Sequence, residues 1–274
     1  MNNITEWVQV GELAEGFASD ANTLEYTDDL AGKIIDLHFE DGSVISHRFL
    51  CGSSLNWQYK DKPDTAPTNE IYTATSLRKD IYLVNFIKSK ENATSISIVL
   101  NLETANATVL IGKLPDEQDT MRPVYQRVNA GDLLTPVNAD FIQAKINAPY
   151  SAGDGHQTTD ELIGKRVQYR YSPHECYEHI YLNNNYYTWQ CLQGVEKGLA
   201  ETDLCHYYKI AENLYFFVWR EKVIPTLGVI MIDLERMKTT GNILGYDGTD
   251  FNSLNNFPVG AYATILNETV HPLD

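Results

Sequence analysis

Apolar residues along this chain recur mostly at every second position. Val167, Tyr169 and Tyr171 alternate with Arg166, Gln168 and Arg170, while Tyr215, Phe217 and Trp219 alternate with Leu214, Phe216, Val218 and Arg220 and lead on to Glu221. A period of two belongs to strands that bury one face. Val229-Ile230-Met231-Ile232 is the continuous apolar run of a strand buried on both. Turn chemistry separates these segments. Asp41-Gly42 and Asn183-Asn184-Asn185 read as hairpin tips, since Gly and Asn tolerate the positive φ of a tight turn. No apolar stripe of period 3.6 and helical length stands out, and the Thr-Asp-[Asp/Glu]-Leu-x-Gly segments read as single capped turns leading into a strand.

The pattern also repeats. Thr27-Asp28-Asp29-Leu30-Ala31-Gly32-Lys33 returns as Thr159-Asp160-Glu161-Leu162-Ile163-Gly164-Lys165, and the same spacing carries His47 to His179 and Trp57-Gln58 to Trp189-Gln190. One residue further on, Asp80-Ile81-Tyr82-Leu83-Val84-Asn85-Phe86 matches Asn213-Leu214-Tyr215-Phe216-Phe217-Val218-Trp219, and Gly112 matches Gly245. Two homologous halves follow. The expected fold is all-β: two tandem antiparallel barrels from an internal duplication, each closed so that no strand edge is left open. The expected boundaries are an N-terminal barrel with its leading segment over residues 1–112, a linker over 113–158, and a C-terminal barrel over 159–274. Pro115, Pro123, Pro136, Pro149 and Ser151-Ala152-Gly153-Asp154-Gly155 mark the linker, with Val124, Tyr125, Leu133 and Phe141 expected to dock on a barrel.

Charge narrows the range of partners. With 21 Lys and Arg against 37 Asp and Glu, the 274-residue chain carries a formal charge of −16 and repels nucleic acid and anionic membrane surfaces. Residues 1–7 lack the basic and apolar regions of a leader, and no apolar run reaches the ~20 residues of a membrane helix, so a cytoplasmic location is expected. The Asn-x-Thr triplets at Asn3, Asn92, Asn106 and Asn267 are then chance occurrences. Cys51, Cys176, Cys191 and Cys205 have no C-x-x-C spacing and read as reduced, mostly packed thiols.

Several segments of the second half are familiar together: Gly164-Lys165-Arg166-Val167, Tyr177-Glu178-His179-Ile180-Tyr181-Leu182-Asn183, Tyr187-Thr188-Trp189-Gln190-Cys191-Leu192, Phe217-Val218-Trp219-Arg220-Glu221-Lys222 and Asn256-Phe257-Pro258-Val259-Gly260-Ala261-Tyr262. With a weaker match through the first half, they resemble the MoaF family. That resemblance implies calycin-like (lipocalin-type) barrels and, through the family label, either an accessory role in molybdenum cofactor biosynthesis or a place in a monoamine-regulated operon. The second half also resembles phenolic acid decarboxylase, a cofactor-independent enzyme. Its Tyr-x-Tyr falls on Tyr169 and Tyr171 and its Trp-x-Glu on Trp219 and Glu221, whereas its anion-holding arginine falls on Gln190, which has no charge to offer a carboxylate.

Residues two apart on a strand share a face, so two phenols, an indole and a carboxyl group are expected in one barrel interior. Burial among aromatic rings would raise the proton affinity of Glu221 and fit it for acid/base work, with Tyr169 and Tyr171 orienting a substrate or stabilising an oxyanion. Trp219, Gln190, Trp189, His179, Tyr177 and Phe217 are the expected substrate-binding lining. This chemistry suits a lyase, decarboxylase or isomerase acting on a small phenolic or aromatic molecule without a cofactor. Two alternatives stand beside it: a non-catalytic lipocalin-like carrier, and a plain aromatic core with Glu221 paired to Arg220, Lys222 or Arg170. The first half has Leu37, Phe39 and Phe86 at the equivalent places, with Lys88 near that of Glu221, and reads as support or a separate apolar pocket. His174 and His179 are five apart on opposite sides of a strand, so no metal site is expected, and no nucleotide-binding loop appears.

Overall fold

Hairpins joined by short turns build both halves. The computed structural model describes residues 6–18, 20–62 and 64–272. Residues 1–5, with the Asn3 triplet, lie outside the described residues. In the first half β1 (Ile34–Phe39), β2 (Val44–Phe49), β3 (Ser54–Tyr59), β4 (Thr68–Arg78), β5 (Ile81–Ile87), β6 (Thr94–Asn101), β7 (Asn106–Lys113) and β8 (Asn138–Ile146) pair antiparallel in sequence order. The return of β8 to β1, with Leu37 opposite Ile146, closes the barrel.

The second half repeats the scheme. After the two-residue β9 (Gln157–Thr158) come β10 (Lys165–Arg170), β11 (Cys176–Tyr181), β12 (Tyr186–Gln193), β13 (Ala200–Ala211), β14 (Leu214–Arg220), β15 (Leu227–Asp233), β16 (Lys238–Asp247), β17 (Asp250–Val259) and β18 (Tyr262–Glu268). β17 pairs with β16 and β18 with β10, so together they serve as the eighth strand. β12 pairs with β13, with Trp189 opposite Glu201, and the circle is complete. Both barrels are closed and antiparallel, as expected, and each has eight strands around its circle.

Local chemistry explains the matching turns. Asp80 and Asn213, at equivalent places in the repeat, both sit at positive φ (61° and 55°) in the β4–β5 and β13–β14 turns, where short amide and acid side chains are tolerated. Asp41-Gly42 and Asn183-Asn184-Asn185 are hairpin tips as expected. Leu30 and Leu162, from the two Thr-Asp-x-Leu-x-Gly turns, are fully buried, each in its own barrel's core.

Three expectations need correction. First, 113–158 is not a plain linker: β8 lies in it and belongs to the first barrel, so the two units are 24–113 with 138–157, and 1–23 with 114–137 and 158–274. Seven strands could not close the first barrel, and Phe141 is part of the eighth. Second, Val124, Tyr125 and Leu133 do not dock; they are exposed, Tyr125 to 74%. Of the short helices α2 (Glu117–Thr120) and α3 (Val124–Ala130), the latter buries Arg127, which donates to Asp119 Oδ1 at 2.7 Å. Third, a helix precedes α2, over Val10–Ala18, and is labelled α1 here. It buries Val10, Leu13 and Phe17 in the core of the second barrel, although it precedes the first in sequence. Gly16 permits its close approach, since a Cβ there would stand 2.7 Å from Val195 Cγ1. No helix among the described residues is long and apolar enough to cross a membrane.

Candidate functional site

Alternation along β10, β11, β12 and β14 aims one set of side chains into the second barrel. Tyr169, Tyr171, Tyr177, Trp189, Phe217 and Trp219 all belong to its buried core, and His179 is buried against their rings, as the sequence reading expects. Gln190 does not join them. Its neighbour Trp189 points inward, so Gln190 points outward, where its Nε2 donates to Glu178, itself held by Arg166 with N–O separations of 2.7 and 2.6 Å.

The rings fill most of the interior. Phe217 stacks between Tyr207 and Trp219, with centroids 5.5 Å from each, and His179 lies 4.7 Å from Tyr169 and 5.2 Å from Tyr187. Tyr169 spends its hydroxyl on Tyr181 at 2.7 Å and lies outside the remaining space. That space is a cavity of about 30 Å³, walled by Tyr171, Tyr177, His179, Tyr187, Trp189 and Trp219, by Glu196 and Glu221, and by Leu13 and Phe17 of α1. It has the size of a single water site.

Its electrostatics are unusual for so apolar a place. Burial, with the nearby charges of Asp203 and Glu196, pushes the Glu221 carboxyl well above its ordinary range, against the pull of Trp219 Nε1, which donates to it at 2.8 Å. Burial likewise lifts Glu196 and Asp203 to about 7. Tyr177 donates to Glu196 at 2.9 Å and Trp189 to Asp203 at 3.2 Å. The two tyrosines at 169 and 171 are raised by burial too, and His179 is driven down to about 3, so it is neutral. Among the described residues His179 Nδ1 and the Tyr187 hydroxyl have no hydrogen-bond partner. Two of the cations named as possible partners of Glu221 go elsewhere: Lys222 to Glu201 and Asp203, Arg220 to His206 and the Val137 carbonyl. Sequence reasoning passed over Glu196, which sits in a loop without periodicity. It passed over Asp203 too, although the alternation of Glu201, Asp203, Cys205 and Tyr207 on β13 could have placed it on the inner face.

The first barrel differs in one respect above all: its interior is open. A chamber of about 560 Å³ runs among Phe39, Ile45, His47, Trp57, Phe86 and Ile111 and reaches out to the β1–β2 turn at Asp41 and Gly42. Lys88, at the repeat position of Glu221, lines it and lies 5.4 Å over the Trp57 ring. His47, pushed down to about 4 chiefly by burial, is neutral.

Comparison with known proteins bears on both halves. A family model described as the MoaF N-terminal domain matches residues 5–116, and one described as the MoaF C-terminal domain matches residues 156–269. The chain is 46% identical over 274 residues, 99% of each chain, to Protein MoaF from Klebsiella aerogenes. A solved structure of a candidate beta-lactamase from Burkholderia vietnamiensis aligns with 40% of this chain and 99% of its own, at 14% identity and a TM-score of 0.34.

Proposed function

The chain belongs to the MoaF family, and from that premise we propose that it is a small-molecule-binding protein whose ligand occupies the interior of the first barrel. One observation carries the reading: the first chamber measures about 560 Å³, inside the range of roughly 300–1,000 Å³ typical of small-molecule sites. Its walls combine aromatic and aliphatic side chains with a few polar groups, the composition such sites share. Native mass spectrometry with phenols, hydroxycinnamates, aromatic amines and pterins tests it. A one-to-one complex in the parent that is weakened in a folded Ile111→Trp variant, whose indole would take up part of the chamber, supports the reading. No complex with any panel member, or one indifferent to Ile111→Trp, removes it.

A second reading has its own support: acid/base catalysis in the second barrel, as a cofactor-independent lyase, decarboxylase or isomerase on a small phenolic or aromatic substrate. Burial raises the proton affinity of Glu221, whose carboxyl lies in the same cavity wall as Tyr187 and His179, and the Tyr187 hydroxyl and His179 Nδ1 have no hydrogen-bond partner among the described residues. Tyr171 would orient the substrate, and the pattern of Tyr169, Tyr171, Trp219 and Glu221 resembles phenolic acid decarboxylase. A cavity of about 30 Å³ admits no such substrate while Leu13 and Phe17 stay seated, so turnover would require α1 to lift. Glu221→Gln should then abolish turnover and spare affinity. A role in molybdenum cofactor assembly draws support from the family label alone, and the pterins of the same panel test it.

A further inference from the structure

We infer that the first chamber takes an amphipathic carboxylic acid, with its apolar body inside the barrel and its carboxylate held by Lys88 at the rim. This rests on the binding reading above and adds the chemistry of the ligand. Polar and apolar walls are separated along the chamber. Phe39, Ile45, Phe86, Ile96, Val109 and Ile111 line it from within β1, β2, β5, β6 and β7. Its charged residues all belong to one end of the barrel: Asp41 in the β1–β2 turn, Asp61 and Lys62 after β3, and Lys88 directly after β5. Lys88 follows Phe86 by two residues and so points to the same side, into the mouth. Its side chain is only 15% exposed, and the ammonium lies 5.4 Å from the centroid of the Trp57 ring. The stem thus covers apolar wall while the charge stays at the rim.

The other charges at that end are open to water. Asp41, Asp61 and Lys62 are exposed. Asp41 accepts from the backbone N–H and the hydroxyl of Ser43 at 2.9 and 2.6 Å, and Lys62 lies 4.8 Å over the Tyr59 ring. Exposed charges of this kind are screened and give a ligand little. Glu70 is buried, but it accepts from the Ser89 backbone at 2.9 Å and is not part of the chamber wall. Lys88 differs because it is sheltered. Among the described residues its ammonium bonds Glu91 alone, an exposed partner three residues on. Two of its three N–H donors are left for a ligand. A carboxylate accepts them in charge-assisted hydrogen bonds, which are stronger than those a neutral group would make. The duplicated half reverses the sign. Glu221 stands at the repeat position of Lys88, and Glu196 joins it in a cavity wall that holds no Lys or Arg among the described residues. An anion therefore finds a partner in the first barrel and none in the second.

Calorimetric titration of the full chain at neutral pH with biphenyl-4-carboxylate, biphenyl-4-carboxamide and 4-phenylbenzylammonium tests this, since the three share one ring system and differ in the charge of the head. In the parent, the carboxylate should bind at least about tenfold more tightly than the amide or the ammonium, on the scale of one hydrogen bond to a charged group. Lys88→Met, which keeps an apolar stem and removes the charge, should bring the carboxylate within about twofold of the amide. Lys88→Arg, which keeps the charge, should retain the preference. Equal affinities in the parent, a preference for the ammonium, or a carboxylate preference that survives Lys88→Met would overturn the inference and leave the binding reading standing. Failure of all three to bind would count against both.

Discussion

Glu196→Gln isolates the cost of keeping a carboxyl group inside the second barrel. Glu196 is buried, accepts from Tyr177 at 2.9 Å, and is lifted from 4.5 to about 7, chiefly by burial and further by Glu175 and Glu201. The folded protein therefore holds a proton that the unfolded chain releases. The sign follows: the contribution of this group is fully present below about pH 4.5 and is lost as pH rises through 7. At about 1.4 kcal/mol per pH unit, that span is worth on the order of 3 kcal/mol. Glutamine keeps the shape and an oxygen for Tyr177 but cannot ionise, so the variant should be close to its parent at pH 5 and relatively more stable at pH 8 by about that amount. Urea unfolding at pH 5, 6, 7 and 8 measures it. In a Trp57→Phe background the remaining tryptophans, Trp7, Trp189 and Trp219, all lie in the unit of the second barrel and report on it alone. Asp203 and Glu221 impose the same sign on both proteins, so only the difference between the two counts. A difference that stays constant from pH 5 to 8 would refute the claim that Glu196 is buried as the neutral acid.

Other perturbations probe placement. Gly228 lies beneath the Trp219 ring, and a Cβ there would come within 2.0 Å of indole carbons, so Gly228→Ala should displace the ring from Glu221. A loss of about 1–3 kcal/mol in urea and a changed near-ultraviolet dichroism are expected, and an unchanged spectrum would count against the placement. Phe17 is buried with its ring 4.8 Å from Tyr171, so Phe17→Ala should cost about 3–5 kcal/mol in the second barrel's unfolding and make α1 the first site of limited proteolysis. Gln190→Ala, on the outer face, should leave the near-ultraviolet dichroism of the second barrel's aromatic core unchanged, and an altered spectrum would return that residue to the interior.

Strand content and duplication were legible because both depend on local signals. The period of two needs only neighbouring residues, and the repeat needs only matching spacing, so the turns at Asp80 and Asn213 could be paired in advance. What escaped depends on distant partners. Val10, Leu13 and Phe17 do form a helical stripe, but nine residues holding Gly11 and Gly16 are too short to stand out, and the surface they cover comes from the far end of the chain. β8 was hidden by prolines before and after it and by polar residues at alternate positions. Gln190 was misplaced although alternation already opposed it, since adjacent residues on a strand cannot both face the interior. Chamber size was beyond reach, because it is set by how many rings meet across a barrel.

That count explains why one duplicated interior is open and the other nearly full. At matched positions Leu37, Phe39, Ile45, Leu55 and Val84 of the first barrel become Tyr169, Tyr171, Tyr177, Tyr187 and Phe217 in the second. Four of these changes replace an aliphatic side chain with a ring, and Phe17 adds another from α1. In an interior packed to crystal-like density such additions consume the space a ligand would need. The polar positions diverge in step. Lys88 faces the open chamber where Glu221 faces the closed one, and the indole free in the first barrel is bonded in the second. The two interiors therefore cannot serve the same ligand in the same way. The first has room for a ligand, while the second has acids of raised proton affinity and little room while Leu13 and Phe17 of α1 wall its cavity. Duplication has thus left the open volume in one barrel and the buried carboxyl groups of raised proton affinity in the other.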